Sequence, residues 1–195
     1  MPSLAPLEDD EVLLWQGAPD PQAHLTRWDL FFIPFSILWM TFTVVALIGF
    51  TSSGAPPVAV VFVTLFAIFG VYLLFGRFVV KAAVKRATVY RLTTRRALID
   101  GPRDSNSMSI NPDLITMRRS LWNGHFDVVF GTRLGPWTGF VRLRVMEGYM
   151  NTGLDFFTWL SGAPFAFYDV RDRDGLEAAL ARAGVALVDR GDEQN

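Results

Sequence analysis

The chain has no cysteine. That excludes disulfides, thiolate metal sites and a cysteine nucleophile, and it leaves the redox compartment open. Histidine is almost as scarce: His24 and His125 are the only two, and without His-x-x-x-His spacing they read as structural or surface residues rather than metal ligands. No Gly-x-Ser-x-Gly nucleophile elbow occurs, and Gly131-Thr-Arg-Leu-Gly135 lacks the lysine and the spacing of a phosphate-binding loop. In Asp169-Val-Arg-Asp-Arg-Asp174 the interleaved arginines and a following helix start favour capping over calcium. The 18 basic residues are balanced by 19 acidic ones, so nothing points to nucleic acid or to an acidic disordered tail. The sequence therefore yields no cofactor, no metal and no catalytic set.

Charge is also missing from two long stretches, and there the 51% hydrophobic content concentrates. Leu30–Phe50 carries no charged residue. As a helix it measures about 31 Å at about 1.5 Å per residue, which matches a hydrocarbon core of about 30 Å. Val58–Gly76 is a second uncharged run, and only Thr51-Ser-Ser-Gly-Ala-Pro-Pro57 separates the two. The short link predicts a transmembrane helical hairpin over residues 29–84, with spans at 30–50 and 58–76. A cleaved signal peptide is not expected, because the first run follows the acidic Glu8-Asp-Asp-Glu11 and begins only at residue 30. Pro34 is expected in the first turn of its helix, where a missing amide donor is tolerated. Trp39, near mid-span, reads as a packing residue.

Arg27 precedes the first span, and Arg77, Lys81, Lys85, Arg86, Arg91, Arg95 and Arg96 follow the second, whereas the connecting loop is uncharged. The positive-inside rule then puts both termini in the cytoplasm. Arg77, Lys81 and Lys85 fall at i, i+4 and i+8, so on a continued helix they share a face and are expected to snorkel to lipid phosphates. Trp15, Trp28 and Tyr72 are the expected interfacial anchors.

Past the spans the pattern alternates. Thr88–Leu92, Ala97–Asp100, Met117–Trp122, Phe126–Phe130, Phe140–Val145 and Phe165–Val170 read as strands, separated by turn signals such as Asn123-Gly124. Asp174 and Glu177 have capping-box spacing, and Leu176, Ala179, Leu180 and Ala183 make one apolar face before Gly184. The class is α+β, with a cytoplasmic domain at 85–186 between an N-terminal segment, 1–28, and a tail, 187–195.

Glu11-Val-Leu-Leu-Trp15-Gln-Gly17-Ala-Pro19, the hairpin, Tyr90-Arg-Leu92-Thr93-Thr-Arg95-Arg96, Gly124–Gly131 and the terminal strand and helix at 165–183 occur in an order that resembles the bacterial pleckstrin-homology-like membrane proteins. The resemblance covers nearly the whole chain. It implies two roughly orthogonal antiparallel sheets, a sandwich or barrel capped by the C-terminal helix, in a bacterial inner membrane. It implies a binding module rather than an enzyme.

Two candidate sites follow. The basic group Arg77, Lys81, Lys85, Arg86, Arg91, Arg95 and Arg96 either contacts anionic lipid, as multidentate donors suit phosphate, or reflects only topology and a solvated turn. The segment containing Tyr149, Leu154, Phe156, Phe157, Trp159 and Leu160 either lies on the membrane or a protein partner, or folds back into the domain core. The leading expectation is a non-enzymatic accessory or scaffold subunit contacting another membrane protein or a second copy. An anionic-lipid-binding module and an enzyme of lipid or envelope metabolism are the alternatives.

Overall fold

The computed structural model describes residues 4–23, 25, 26, 28–102, 104–119, 124–132, 151, 153 and 164–185. The strand expected at Phe140–Val145 lies outside the described residues, as do residues 120–122 of the one expected at Met117–Trp122. The chain is α+β. Strand β1, Leu13–Gly17, precedes helices α1, Asp29–Ser52, and α2, Pro57–Val71; a π-helical turn, Tyr72–Gly76, joins α2 to α3, Arg77–Arg86. Strands β2, Val89–Thr93, β3, Arg96–Asp100, and β4, Ser105–Ser109, are followed by β5, Thr116–Arg119, β6, Phe126–Thr132, β7, Pro164–Val170, and helix α4, Arg173–Arg182.

Helix α1 and the run Pro57–Arg86 are each long and apolar enough to cross a bilayer, and only 17% and 11% of their apolar windows are buried. A core helix of a water-soluble domain would bury far more of such a surface. Because α1 starts at Asp29, Pro34 falls in the second turn rather than the first and leaves the Leu30 carbonyl without its helical donor. The two helices pack through Trp39, whose ring stacks on Phe66 at 5.4 Å and whose indole N–H donates to the Phe66 carbonyl at 3.2 Å. Gly70 permits that approach, since a Cβ there would lie 2.9 Å from the Met40 sulfur.

The strands form two antiparallel sheets, β1-β2-β3-β4 and β5-β6-β7. One apolar core joins both sheets to α4, through Trp15, Tyr90, Leu92, Val128, Phe130, Phe167, Leu176 and Leu180. Phe167 stands at its centre, stacked on Tyr90 at 4.6 Å and edge-on to Phe130 at 4.7 Å. Such aromatic pairs contribute about 0.5–1.5 kcal/mol each beyond the area they bury.

Three expectations are corrected here. The N-terminal segment is not separate from the domain, because β1 pairs with β2 in register Trp15↔Leu92. Trp15 is a core residue, 8% exposed and stacked on Phe167 at 6.0 Å, rather than an interfacial anchor. The helix cap is Asp172, whose carboxylate accepts from the Gly175 amide, rather than Asp174. The same carboxylate accepts from the Trp15 indole N–H at 2.9 Å, and that bond, followed by the one from Gly175, holds its pKa below the ordinary aspartate value.

Candidate functional site

Helix α3 carries the basic stripe at the expected i, i+4, i+8 spacing, but its charges point into protein. Arg77, Lys81 and Lys85 are 1%, 4% and 5% exposed. Snorkelling to lipid phosphate is therefore corrected for all three. Lys85 Nζ pairs with the Asp169 carboxylate on β7 and donates to the Ala23 carbonyl at 2.7 Å. Arg77 meets Asp29 at the foot of α1 at 2.5 Å, with its guanidinium 4.3 Å from the centre of the Phe78 ring and 5.6 Å from that of Phe32. A dry ion pair in such a setting gives little net stability, but losing either partner strands a buried charge.

Asp169 organises the receiving side. It is 3% exposed and has φ of +53°, an uncommon conformation for a residue other than glycine, in a strand whose pairing with β6 is irregular. Its side chain accepts from Asn151 Nδ2 at 2.6 Å, its amide donates to Asp127 Oδ1 at 2.8 Å, and its carbonyl accepts from the Asp20 amide at 3.1 Å. Burial, with the Asp169 charge adding, pushes the Asp127 pKa up to about 6, against the hydrogen bond from the Asp169 amide and the pull of Lys85 and Lys81. Burial would also raise Asp20, but the Gln22 amide and Arg171 outweigh it and keep the group below its ordinary value. His125 Nε2 lies 3.3 Å from the Asp20 carboxylate. This cluster ties α3, β6, β7 and residues 20–23 together.

The β2–β3 hairpin is similarly occupied. Arg91 is on the face opposite Tyr90 and Leu92, yet the N-terminal segment covers it. Its Nε donates to Asp100 at 2.5 Å and its Nη2 to the Ala5 carbonyl at 2.8 Å. Arg96 donates from Nε and Nη2 to the two oxygens of Glu11, each at 2.9 Å, and Thr93 Oγ1 donates to the same carboxylate at 2.6 Å. The Arg96 hydrogen bonds, helped by Thr93 and against the opposing effect of burial, hold Glu11 at a pKa of about 2. Arg95, with its side chain 55% exposed, reaches Asp10 at 2.8 Å and Glu8 at 3.5 Å. Of the seven predicted lipid contacts, Arg86 and Arg95 alone are exposed.

Comparison of the chain with protein-family models, curated proteins and solved structures gives no match.

The segments Glu11–Pro19 and Tyr90–Arg96 meet in space through the pairing of β1 with β2, and several of their side chains have structural tasks. Glu11 pairs with Arg96, Trp15 and Tyr90 pack on Phe167, and the Tyr90 hydroxyl accepts from the Tyr168 amide at 3.2 Å. Trp28 stands at the foot of α1, 39% exposed, and the Tyr72 hydroxyl donates to the Gly153 carbonyl at 2.6 Å. Tyr149, Leu154, Phe156, Phe157, Trp159 and Leu160 lie outside the described residues. Among the described residues no group of three acidic or histidine side chains is arranged to hold a metal ion. Sequence reasoning missed Asp29, Asp127 and Gly153, and it placed Asp169 in a capping cluster rather than opposite Lys85. The available signal was an aspartate inside the aromatic strand Phe165-Ala-Phe-Tyr-Asp-Val170, and another directly before an uncharged span.

Proposed function

We propose that this chain is an integral membrane protein whose helical hairpin holds a pleckstrin-homology-like domain at the cytoplasmic face of a bacterial inner membrane, with both termini cytoplasmic, as a non-catalytic accessory or scaffold subunit for another membrane protein. The observation that carries this reading is the commitment of the α3 basic stripe to the β domain. Lys85 on Asp169, with Lys81 buried one turn before it, fixes the domain on the helix that leaves the apolar run. A tethered lipid sensor gains from a loose linker and free cations; here there is no linker between helix and strand beyond Ala87 and Thr88, and most of the cations are bound internally. A fixed domain instead suits recognition in which orientation relative to the membrane sets what is touched.

The test is purification from the native membrane in mild detergent, with the mass of the assembly measured. A stoichiometric complex with one defined membrane protein is expected. A single chain in its micelle, with no second protein after cross-linking in the intact membrane, refutes the subunit reading.

A further inference from the structure

We infer that the outer face of α3, together with Gly101 and Pro102 beside it, rests in the interfacial layer of the inner leaflet, so that the β domain contacts lipid through apolar groups rather than through the arginines of the β2–β3 hairpin. The inference rests on the membrane reading proposed above. Pro57–Arg86 is one continuous run of 30 residues, about 45 Å long, against a hydrocarbon core of about 30 Å. A core entered at Pro57 is left about 20 residues later, where Arg77 meets Asp29. The apolar surface does not stop there: Val79, Val80 and Val84 are 69%, 42% and 46% exposed. They lie about 3–10 Å beyond Arg77 along the axis, the depth of the headgroup layer for a helix of ordinary tilt.

Beside them runs a groove of about 590 Å³ lined by Val80, Ala83, Val84, Ala87, Gly101 and Pro102. Asp104 and Asn106 complete its lining. Its charged group among the described residues, Asp104, is acidic, so it suits the glycerol-ester and upper acyl region of a phospholipid rather than an anionic headgroup. The stripe Val80, Ala83, Val84, Ala87 is centred about 110° around the helix from Arg77, Lys81 and Lys85. One face of α3 is therefore spent on the β domain, and the neighbouring face continues the lipid-facing surface of α2.

Because the chain has no cysteine, single replacements give clean spin-label sites. V80C and V84C report the proposed contact, I68C the apolar run, and L114C an exposed site on the β domain, in full-length protein in phosphatidylcholine–phosphatidylglycerol nanodiscs. At 80 and 84, access to a water-soluble nickel relaxant should be several-fold lower than at 114, with oxygen favoured as at 68. Labels at 80 and 84 that match 114 while 68 stays oxygen-favoured overturn the inference and leave the membrane reading standing. Low access to both reagents at 80 and 84 also overturns it, since protein then covers the face. Nickel access at 68 overturns both readings.

Discussion

Exchanging Lys85 for methionine removes the charge that links α3 to β7 while keeping a side chain of similar length. Asp169 then remains, with its side chain 4% exposed and Asn151 still donating to it. Losing one member of a buried pair costs about 3–5 kcal/mol, and the surviving Asn151 bond sets the expectation for K85M at about 3 kcal/mol. D169N strands the Lys85 charge with the Ala23 carbonyl as acceptor, and asparagine tolerates the positive φ, so about 3 kcal/mol is expected. The double variant K85M/D169N has no stranded charge and should fall short of the sum by about 2 kcal/mol. Urea unfolding of the full chain in detergent, followed by protease resistance, measures this as midpoint shifts of about 1–2 M for the larger effects. Added salt should leave the coupling nearly unchanged, because a buried pair is poorly screened. Single effects that add to within about 0.5 kcal/mol would refute the pairing, and a strong salt dependence would return Lys85 to lipid phosphate.

Three further outcomes are expected. The folded Asp127 pKa of about 6 lies above the ordinary 3.8, so its contribution is full below about pH 4 and is lost as pH rises to about 6. The loss is about 3 kcal/mol; D127N should flatten that slope in urea midpoints, whereas an unaltered profile would mean that Asp127 does not titrate there. Glu11, with its pKa near 2, acts with opposite sign in a separate window below about pH 4.5. D172A removes both the α4 cap and the Trp15 acceptor and should cost about 2–4 kcal/mol in the same assay, with a loss under 1 kcal/mol sinking the dual role. G153A places a Cβ 2.2 Å from the Arg77 carbonyl at φ of +82°, and should cost well beyond the about 1–2 kcal/mol expected for G54A, where φ is +67° and nothing lies within 4 Å.

Much of the architecture was legible because its periodicities are local. The two uncharged runs, the strands at β2, β3, β6 and β7, and the apolar face of α4 all announce themselves within a few residues. Strand β4, Ser105-Asn-Ser-Met-Ser109, did not, because it lies at the sheet edge and only Met108 packs against the core. Strand β1 escaped because Val-Leu-Leu-Trp does not alternate, and the helical hairpin separates it from its partner. The basic stripe was read with its spacing correct and its destination reversed. Lys85 and Asp169 are 84 positions apart, and no local pattern couples a lysine after a span to an aspartate in a distant aromatic strand. Likewise the arginines of the hairpin look free until the chain before β1 folds over them.

The π turn at Tyr72–Gly76 bears on how such a protein is assembled. An α-helix ties every face to every other at about 100° per residue, so the side of α2 that meets α1 would dictate the side of α3 that meets the β domain. A π turn accommodates an extra residue at the junction and resets that phase. The face of α2 that packs Gly70 on Met40 and the face of α3 that seats Lys85 on Asp169 are thereby set at an angle that an uninterrupted α-helix of the same length would not give.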